Sequence, residues 1–198
     1  MVYEGVKFVT IKLPKDEEIE ELESWCRRFH NLGLAPPYKN IGLTPPYKTG
    51  SYGNLSLRLL IEDMFLITAS NSSLENPKFS LVYSVDHKER EVYTLKNKLG
   101  DGDPSSEAML HDKIYQKRKD VKAIFHGHCD EISSNVKKFG IVETKEEKPY
   151  GTTELIEQVL EVLGKESFIH MKGHGFLSLG RNLDEAGQIA IDVYNKCL

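Results

Sequence analysis

Apolar and polar residues follow two different patterns along this chain, and each pattern predicts a different kind of element. Short segments that alternate or run continuously apolar are typical of strands. They lie at residues 6–13, 54–60, 64–69, 78–86, 90–95, 121–128, 168–172 and 175–180. Because residues 78–86 and 90–95 flank the turn sequence DHKE, we expect a hairpin there, within an antiparallel meander.

A period near 3.6 residues predicts five amphipathic helices. They lie at residues 15–34, 105–119, 130–139, 152–164 and 182–197. Ser105 and Ser106 are suited to cap the second of these helices. Strands come first and then mix with helices, so the sequence predicts an α/β domain whose central sheet is mainly antiparallel and flanked by helices.

Composition narrows the class of protein. The chain has 198 residues, 39% of them hydrophobic and 28% charged, which suits one domain over residues 1–198. No apolar run is long enough to span a membrane, and the first residues lack the pattern of a signal peptide, so we expect a cytoplasmic protein. The net charge of −4 is spread along the chain, which disfavours nucleic acid and anionic membranes and favours a small-molecule partner.

Two histidines lie one residue apart in AIFHGHCDE, residues 123–131. Because side chains at i and i+2 of a strand point to the same face, His126 and His128 can hold one metal ion together. His174 lies between two glycines in KGHGFL, where the backbone can turn tightly. Three histidines with an open fourth position are typical of a catalytic zinc site.

The remaining histidines receive other interpretations. His30 and His87 are expected to face solvent, at a helix end and a hairpin tip respectively. His111 and His170 are expected to be buried and hydrogen-bonded, although His111 lies four residues after Glu107 and could face the site. Cys129 should point away from His128, since neighbours in a strand face opposite sides.

Two segments carry the groups of a phosphate site. PSSEAMLHDKIY places Ser105, Ser106 and Glu107 at a helix start, where backbone N–H groups and hydroxyls favour phosphate. The second segment combines GSYGNLSLR with the turn LITASNSS. It offers Gly53 for a close backbone approach, together with the side chains of Asn54, Ser70 and Asn71.

The sequence PPYK occurs twice, at 36–39 and 45–48, in a turn-rich stretch. Two interpretations stay open. The stretch is either a loop stiffened by proline or a lid that carries Tyr38, Lys39, Tyr47 or Lys48 towards a ligand.

Six motifs, in this order, resemble the class II aldolase/adducin family over roughly residues 20–196. They are GNLSLR, LIT followed by a polar turn, PSSExxxHxxIY, AIFHGH, YGTTEL and KGHGFLSLGRNLDEA. The resemblance is greatest to the sugar-phosphate aldolases of that family. It implies a three-layer fold and a C4 homotetramer with active sites near subunit boundaries.

The resemblance also implies roles for individual residues. His126, His128 and His174 match the ligands of Zn²⁺ or another divalent metal, and Glu107 matches a catalytic acid/base that can also contact the metal. The phosphate pocket corresponds to Asn54, Ser70, Asn71, Ser105 and Ser106, with Gly53 beside it.

The function expected from this resemblance is that of a carbon–carbon lyase of carbohydrate metabolism. It would cleave a ketose or deoxyketose 1-phosphate to dihydroxyacetone phosphate and an aldehyde by metal-stabilised enediolate chemistry. Epimerases, dehydratases and decarboxylases of the family use the same metal site, and adducin-like members are non-catalytic assembly modules. Glutamate at 107 resembles the aldolase branch, and the three histidines are absent from the adducin-like members.

Three departures from the family pattern affect what can be assigned. The chain is shorter between His128 and YGTTEL, where relatives carry a tyrosine that reaches a neighbouring subunit, so no proton donor is assigned. The sequence stops at Leu198 without the C-terminal tail of longer relatives. Asn71 replaces a glycine of the phosphate turn, an exchange that is acceptable because asparagine tolerates positive φ.

Overall fold

A computed structural model describes residues 14–37, 50–59, 64–95 and 102–198. The strand predicted at 6–13 and the residues Tyr38, Lys39, Tyr47 and Lys48 of the PPYK stretch lie outside the described residues. The helices are α1 Asp16–Asn31, α2 Ala108–Lys117, α3 Asp130–Phe139, α4 Thr153–Leu163 and α5 Leu183–Cys197. The strands are β1 Gly53–Arg58, β2 Phe65–Thr68, β3 Phe79–Asp86, β4 Glu91–Leu95, β5 Ala123–Gly127, β6 Phe168–Met171 and β7 Gly175–Gly180.

The seven strands form one sheet in the order β4-β3-β2-β1-β5-β7-β6. Within the described ranges, all neighbouring strands of this sheet are antiparallel, and β1 to β4 form the predicted meander and hairpin. In the register of β1 and β5, Asn54 lies opposite His126 and Ser56 lies opposite Ile124. Because residues two apart share a face, these four side chains point to the same side of the sheet.

Helices cover both faces of the sheet, which confirms the predicted arrangement of a central sheet flanked by helices. Phe125 and Phe176 pack with Trp25 and Phe29 of α1 and with Ala190 of α5 in one apolar cluster. A second cluster lies on the other face and contains Ile124, Leu177, Ile114 of α2 and Leu155 of α4. None of the helices in the described ranges is both long and apolar enough to cross a bilayer.

The start of α2 differs from the prediction that serine would cap it. The residue at the N-cap is Glu107, and its side chain makes no capping hydrogen bond. Instead, the Ser105 hydroxyl accepts a hydrogen bond from the Glu107 N–H at 3.3 Å, so a serine turn precedes the helix. The Glu107 carboxylate is therefore available for contacts with other elements.

Close packing of α5 against α1 depends on Gly187. A Cβ atom at this position would lie 2.2 Å from the ring of Trp25, which is held by a 3.1 Å hydrogen bond from its indole N–H to Asp184. Overpacking costs about 1–3 kcal/mol, and alanine gains about 1 kcal/mol in helix propensity. We expect Gly187→Ala to have a net loss of up to about 2 kcal/mol in the free energy of unfolding. Chemical denaturation measures the difference.

The matched control is Gln188→Ala, the next residue of α5, whose side chain is exposed. We expect its unfolding free energy to stay within about 0.5 kcal/mol of the parent protein. An increase in stability of Gly187→Ala would contradict the interpretation that the helix must approach Trp25 without a side chain.

Candidate active site

A pocket of about 470 Å³ lies where β1, β5, β7 and the start of α2 meet. It is lined by all ten residues that the sequence nominated, namely Gly53, Asn54, Ser70, Asn71, Ser105, Ser106, Glu107, His126, His128 and His174. Ser51, Tyr52 and Tyr150 complete the lining. Segments far apart in the sequence thus contribute to one site.

Three histidines converge in this pocket. His126 lies on β5, His128 follows the end of that strand, and His174 lies in the turn before β7. The centroids of their rings are 4.8–5.0 Å apart, and one nitrogen atom of each ring lies within 4.8 Å of the others. The side chain at 174 therefore points to those at 126 and 128, as expected from the sequence.

Glycines on both sides of His174 allow this convergence. Gly173 has a φ of +70°, in the left-handed region that favours glycine. A Cβ atom at Gly175 would lie 2.4 Å from the carbonyl oxygen of Gly127 and 3.0 Å from the His126 ring. β7 can lie this close to the end of β5 only because residue 175 has no side chain.

The nitrogen atoms of the histidines form a donor set that fits a divalent metal ion. The Nδ1–H of His126 donates to the carbonyl oxygen of Phe176 at 2.9 Å, which leaves Nε2 with a lone pair. That Nε2 lies 3.1 Å from Nε2 of His128 and 3.1 Å from Oε2 of Glu107. Lone pairs and a carboxylate oxygen at these distances repel each other unless a cation or a proton lies among them.

Glu107 is buried between two of the histidines. Its Oε1 lies 3.0 Å from Nε2 of His174, and its Oε2 accepts a hydrogen bond from the Asn54 side-chain amide at 2.8 Å. Burial raises the pKa of Glu107, but His126 and His174 lower it by more, so the net shift is downward. The carboxylate is therefore ionised at neutral pH.

His126 and His128 favour the neutral form. Burial lowers the pKa of His128 to about 3, helped by repulsion from His126 and His174. Burial also lowers the pKa of His126. Since a metal ion binds only the deprotonated nitrogen, the low pKa values of these two histidines favour binding of a cation.

The two predicted phosphate segments lie side by side. The Ser70 hydroxyl donates to the carbonyl oxygen of Pro104 at 2.8 Å, and the Ser105 N–H donates to that of Thr68 at 3.1 Å. These bonds join the turn after β2 to the segment before α2. Asn71 has a φ of 59°, the positive value that its replacement of glycine suggested.

Gly53 provides the close approach that was expected of it. Its φ is +129°, and a Cβ atom there would lie 2.6 Å from the carbonyl oxygen of His126. The start of β1 therefore lies directly against β5, beside the three histidines.

Sequence reasoning missed three residues that line the pocket. The ring of Tyr52 lies 5.6 Å from the ring of His128, and Tyr150 is 67% exposed at the pocket mouth. Ser51 accepts a hydrogen bond from the N–H of Leu74. Tyr150 begins the motif YGTTEL, which could have identified it, whereas Ser51 and Tyr52 precede GNLSLR without a recognisable signal.

The other histidines lie outside the convergent set. His111 bonds to Ser56 Oγ at 2.7 Å, and His170 lies 2.9 Å from Glu143, so both are buried and hydrogen-bonded as expected.

The expectation that His30 and His87 face solvent holds only in part, since both residues are half-buried. His87 pairs with the buried Asp112 of α2, and Nδ1 of His30 is buried. Cys129 directs its thiol to Glu131 at 3.1 Å and does not belong to the three-histidine set.

Comparison with known proteins identifies the family of this site. The model of the Class II Aldolase and Adducin N-terminal domain matches residues 44–197. L-fuculose phosphate aldolase of Methanococcus maripaludis strain S2 is 32% identical over 109 residues, 48% of this chain and 59% of that protein. The protein of the same name from strain C5 is 29% identical over 151 residues, 69% of this chain and 77% of that protein.

A solved structure shows the same fold. The sugar-phosphate aldolase of Thermotoga maritima superposes with a TM-score of 0.72 at 20% identity, over 91% of this chain and 92% of that one. The match to the first curated relative spans less than two thirds of its length, but the family model covers well over half of this chain. The chain therefore belongs to the class II aldolase and adducin N-terminal domain family, and within that family it is similar to the aldolases.

Proposed function

We propose that this protein is a zinc-dependent sugar-phosphate aldolase. It cleaves a ketose or deoxyketose 1-phosphate to dihydroxyacetone phosphate and an aldehyde. The observation that supports this most is the position of Glu107, an ionised carboxylate held against two of three converged histidines inside a polar pocket. The protein is a lyase of the class II aldolase type, and we take residues 1–198 as one domain.

His126, His128 and His174 are the ligands of the metal in this proposal. Three imidazoles without a fourth fixed ligand suit a catalytic zinc ion, although the set also accepts other divalent metals. When bound, the ion would supply positive charge that stabilises the enediolate formed beside the ketone. The Phe176 carbonyl fixes the orientation and tautomer of the His126 ring, which favours binding through Nε2.

Glu107 transfers the proton at the donor carbon. In cleavage, the hydroxyl of the future aldehyde loses its proton, the carbon–carbon bond breaks, and its electron pair passes to the enediolate. The Glu107 carboxylate, ionised at rest, takes up a proton from solvent in the pocket and passes it to the enediolate carbon, which gives dihydroxyacetone phosphate. In the reverse direction the ionised carboxylate removes this proton as a base. The hydroxyl proton leaves towards the open side of the pocket, where the phenol of Tyr150 lies.

The phosphate is held by neutral groups. No lysine or arginine is found among the pocket-lining residues of the described ranges. Hydroxyls of Ser105 and Ser106, the amides of Asn54 and Asn71, and the start of α2 supply donors instead, and Ser70 can add a donor if its hydroxyl turns from Pro104 to the phosphate. Contacts to the phosphate group of the substrate orient its reacting carbons near Glu107.

The assembly and the compartment are part of the same proposal. The family resemblance favours a homotetramer with active sites near subunit boundaries, and the exposure of Tyr150 at the pocket mouth fits a position near such a boundary. The absence of a membrane-spanning helix from the described residues is consistent with a cytoplasmic location.

Metal content provides the first test. We expect purified protein to retain about one divalent ion per chain and His174→Ala to lose it, because two imidazoles hold zinc far more weakly than three. Elemental analysis after dialysis measures the content. The control His30→Gln, at the end of α1 and outside the pocket, should keep the ion. Protein without a bound metal, or a metal that persists in His174→Ala, would contradict the site.

Proton exchange tests the role of Glu107. We expect Glu107→Gln to keep the metal but to slow hydrogen–deuterium exchange at the donor carbon of dihydroxyacetone phosphate by at least about 100-fold, because an amide cannot accept the proton. Nuclear magnetic resonance of the ketone measures the exchange. If exchange continues at the rate of the parent enzyme, Glu107 is not the base.

The reaction itself is tested with a panel of ketose and deoxyketose 1-phosphates. We expect at least one of them to release dihydroxyacetone phosphate, which can be trapped enzymatically. Conversion of the sugar phosphate without release of dihydroxyacetone phosphate would favour the epimerase or dehydratase alternative. Absence of both turnover and metal would favour a non-catalytic assembly module.

A further inference from the structure

Two buried polar atoms near Glu107 lack hydrogen-bond partners in the part of the chain that the structure describes. They are Oδ1 of Asn54 and Nε2 of His111. Asn54 is 5% exposed and His111 is 0% exposed, so bulk water does not satisfy these atoms. Native proteins rarely leave such atoms unsatisfied, and buried water molecules commonly bond to polar groups that have no partner in the protein.

Both atoms belong to the space between β1 and α2. Asn54 and Ser56 are two residues apart on β1 and point to the same face, and His111 Nδ1 bonds to Ser56 Oγ at 2.7 Å. His111 lies one helical turn after Glu107, with its N–H on the Glu107 carbonyl oxygen at 3.1 Å. Asn54 and His111 therefore both lie beside Glu107, one on β1 and the other on the next turn of α2.

Hydrogen bonds through Ser56 fix the orientation of the His111 ring. Ser56 Oγ also hydrogen-bonds to the hydroxyl of Tyr115 at 2.7 Å, and both of these residues are buried. With Nδ1 engaged in this chain of bonds, Nε2 on the opposite edge of the ring faces away from Ser56. On this face of β1, Ser56 lies between Arg58, which hydrogen-bonds to the Tyr115 carbonyl oxygen, and Asn54, which hydrogen-bonds to Glu107, so Asn54 is the neighbour of Ser56 towards the start of α2.

We propose that His111 is a positioning residue for Glu107 and acts through one buried water molecule that bridges His111 Nε2 and Asn54 Oδ1. This proposal rests on the proposed role of Glu107 as the acid/base. A water molecule can donate to one atom and accept from the other, so it satisfies both atoms in either tautomer of His111.

The consequence for Glu107 follows from the geometry of the amide. With Oδ1 held by the water, one N–H of Asn54 stays on Glu107 Oε2, and the other N–H is free for the phosphate. Without the water, the amide can rotate towards the phosphate and leave the carboxylate. His111 itself carries no proton in the reaction, since it has no exposed surface in the pocket and burial lowers its pKa to about 3.

A crystal structure of the metal-loaded protein tests the contact itself. We expect an ordered water within hydrogen-bonding distance of both atoms, and in His111→Phe we expect the water to be lost and the Asn54 amide to leave Glu107. A parent structure without a shared water would overturn the proposal, as would an unchanged contact between Asn54 and Glu107 in the variant. This result does not depend on whether the protein is an aldolase.

Kinetics test the positioning role. In His111→Phe we expect kcat and the proton exchange rate to fall at least about 10-fold, with KM and metal content unchanged. His111→Gln, which retains a polar end, should restore most of the rate. The matched control is His170→Phe, in which an equally buried histidine loses bonds to Glu143 and Ser133 outside the pocket, and its rates should be unchanged.

Thermal unfolding establishes that each variant is folded before its rates are compared. Full exchange in folded, metal-loaded His111→Phe would overturn the proposal, and so would a glutamine variant no faster than the phenylalanine variant. If the parent protein shows no aldolase activity, the proposed function fails, while the two crystal structures still decide the water-mediated contact.

Discussion

The central constraint on this structure is electrostatic: the lone pairs of imidazole nitrogens lie close to the negative charge of the Glu107 carboxylate. Nε2 of the buried His126 lies about 3 Å from an imidazole nitrogen of the half-buried His128 and from a carboxylate oxygen of the buried Glu107. Such a group is stable only with a cation or shared protons at its centre. Because the pKa of each of His126 and His128 is lowered, protons are poorly suited to that position, and a divalent ion suits it better.

The antiparallel sheet holds most of these site residues in place. Asn54 of β1 lies opposite His126 of β5, and β7 pairs with the other edge of β5. Neighbouring ends of these three strands therefore supply the amide and the histidines. Glu107 comes from the start of α2 and not from the sheet. Its side chain makes no capping hydrogen bond, so it is available to contact the residues of the strands. The result is a site whose parts come from several segments but rest on a single rigid element.

Much of the fold and the composition of the site could be predicted from the sequence because the signals are local. The spacing of His126 and His128 on a strand, the glycines around His174 and the asparagine at a positive φ each express a rule of backbone geometry. Contacts between distant segments could not be predicted in this way. The Asn54–Glu107 hydrogen bond and the pairing of His87 with Asp112 depend on how α2 packs on the sheet, which no local pattern encodes. The motif YGTTEL could have pointed to Tyr150, but the motif alone does not show that the exposed ring borders this pocket.

The absence of a side chain at Gly175 has a further consequence for how such a site can be lost. A single methyl group there would collide with the backbone of Gly127 and with the His126 ring, and the strand would have to move outwards. All three imidazoles would remain in the sequence, yet they could no longer reach a common centre. An inventory of ligand residues alone would then mistake an inert scaffold for an enzyme, so the glycine is as informative about activity as the histidines.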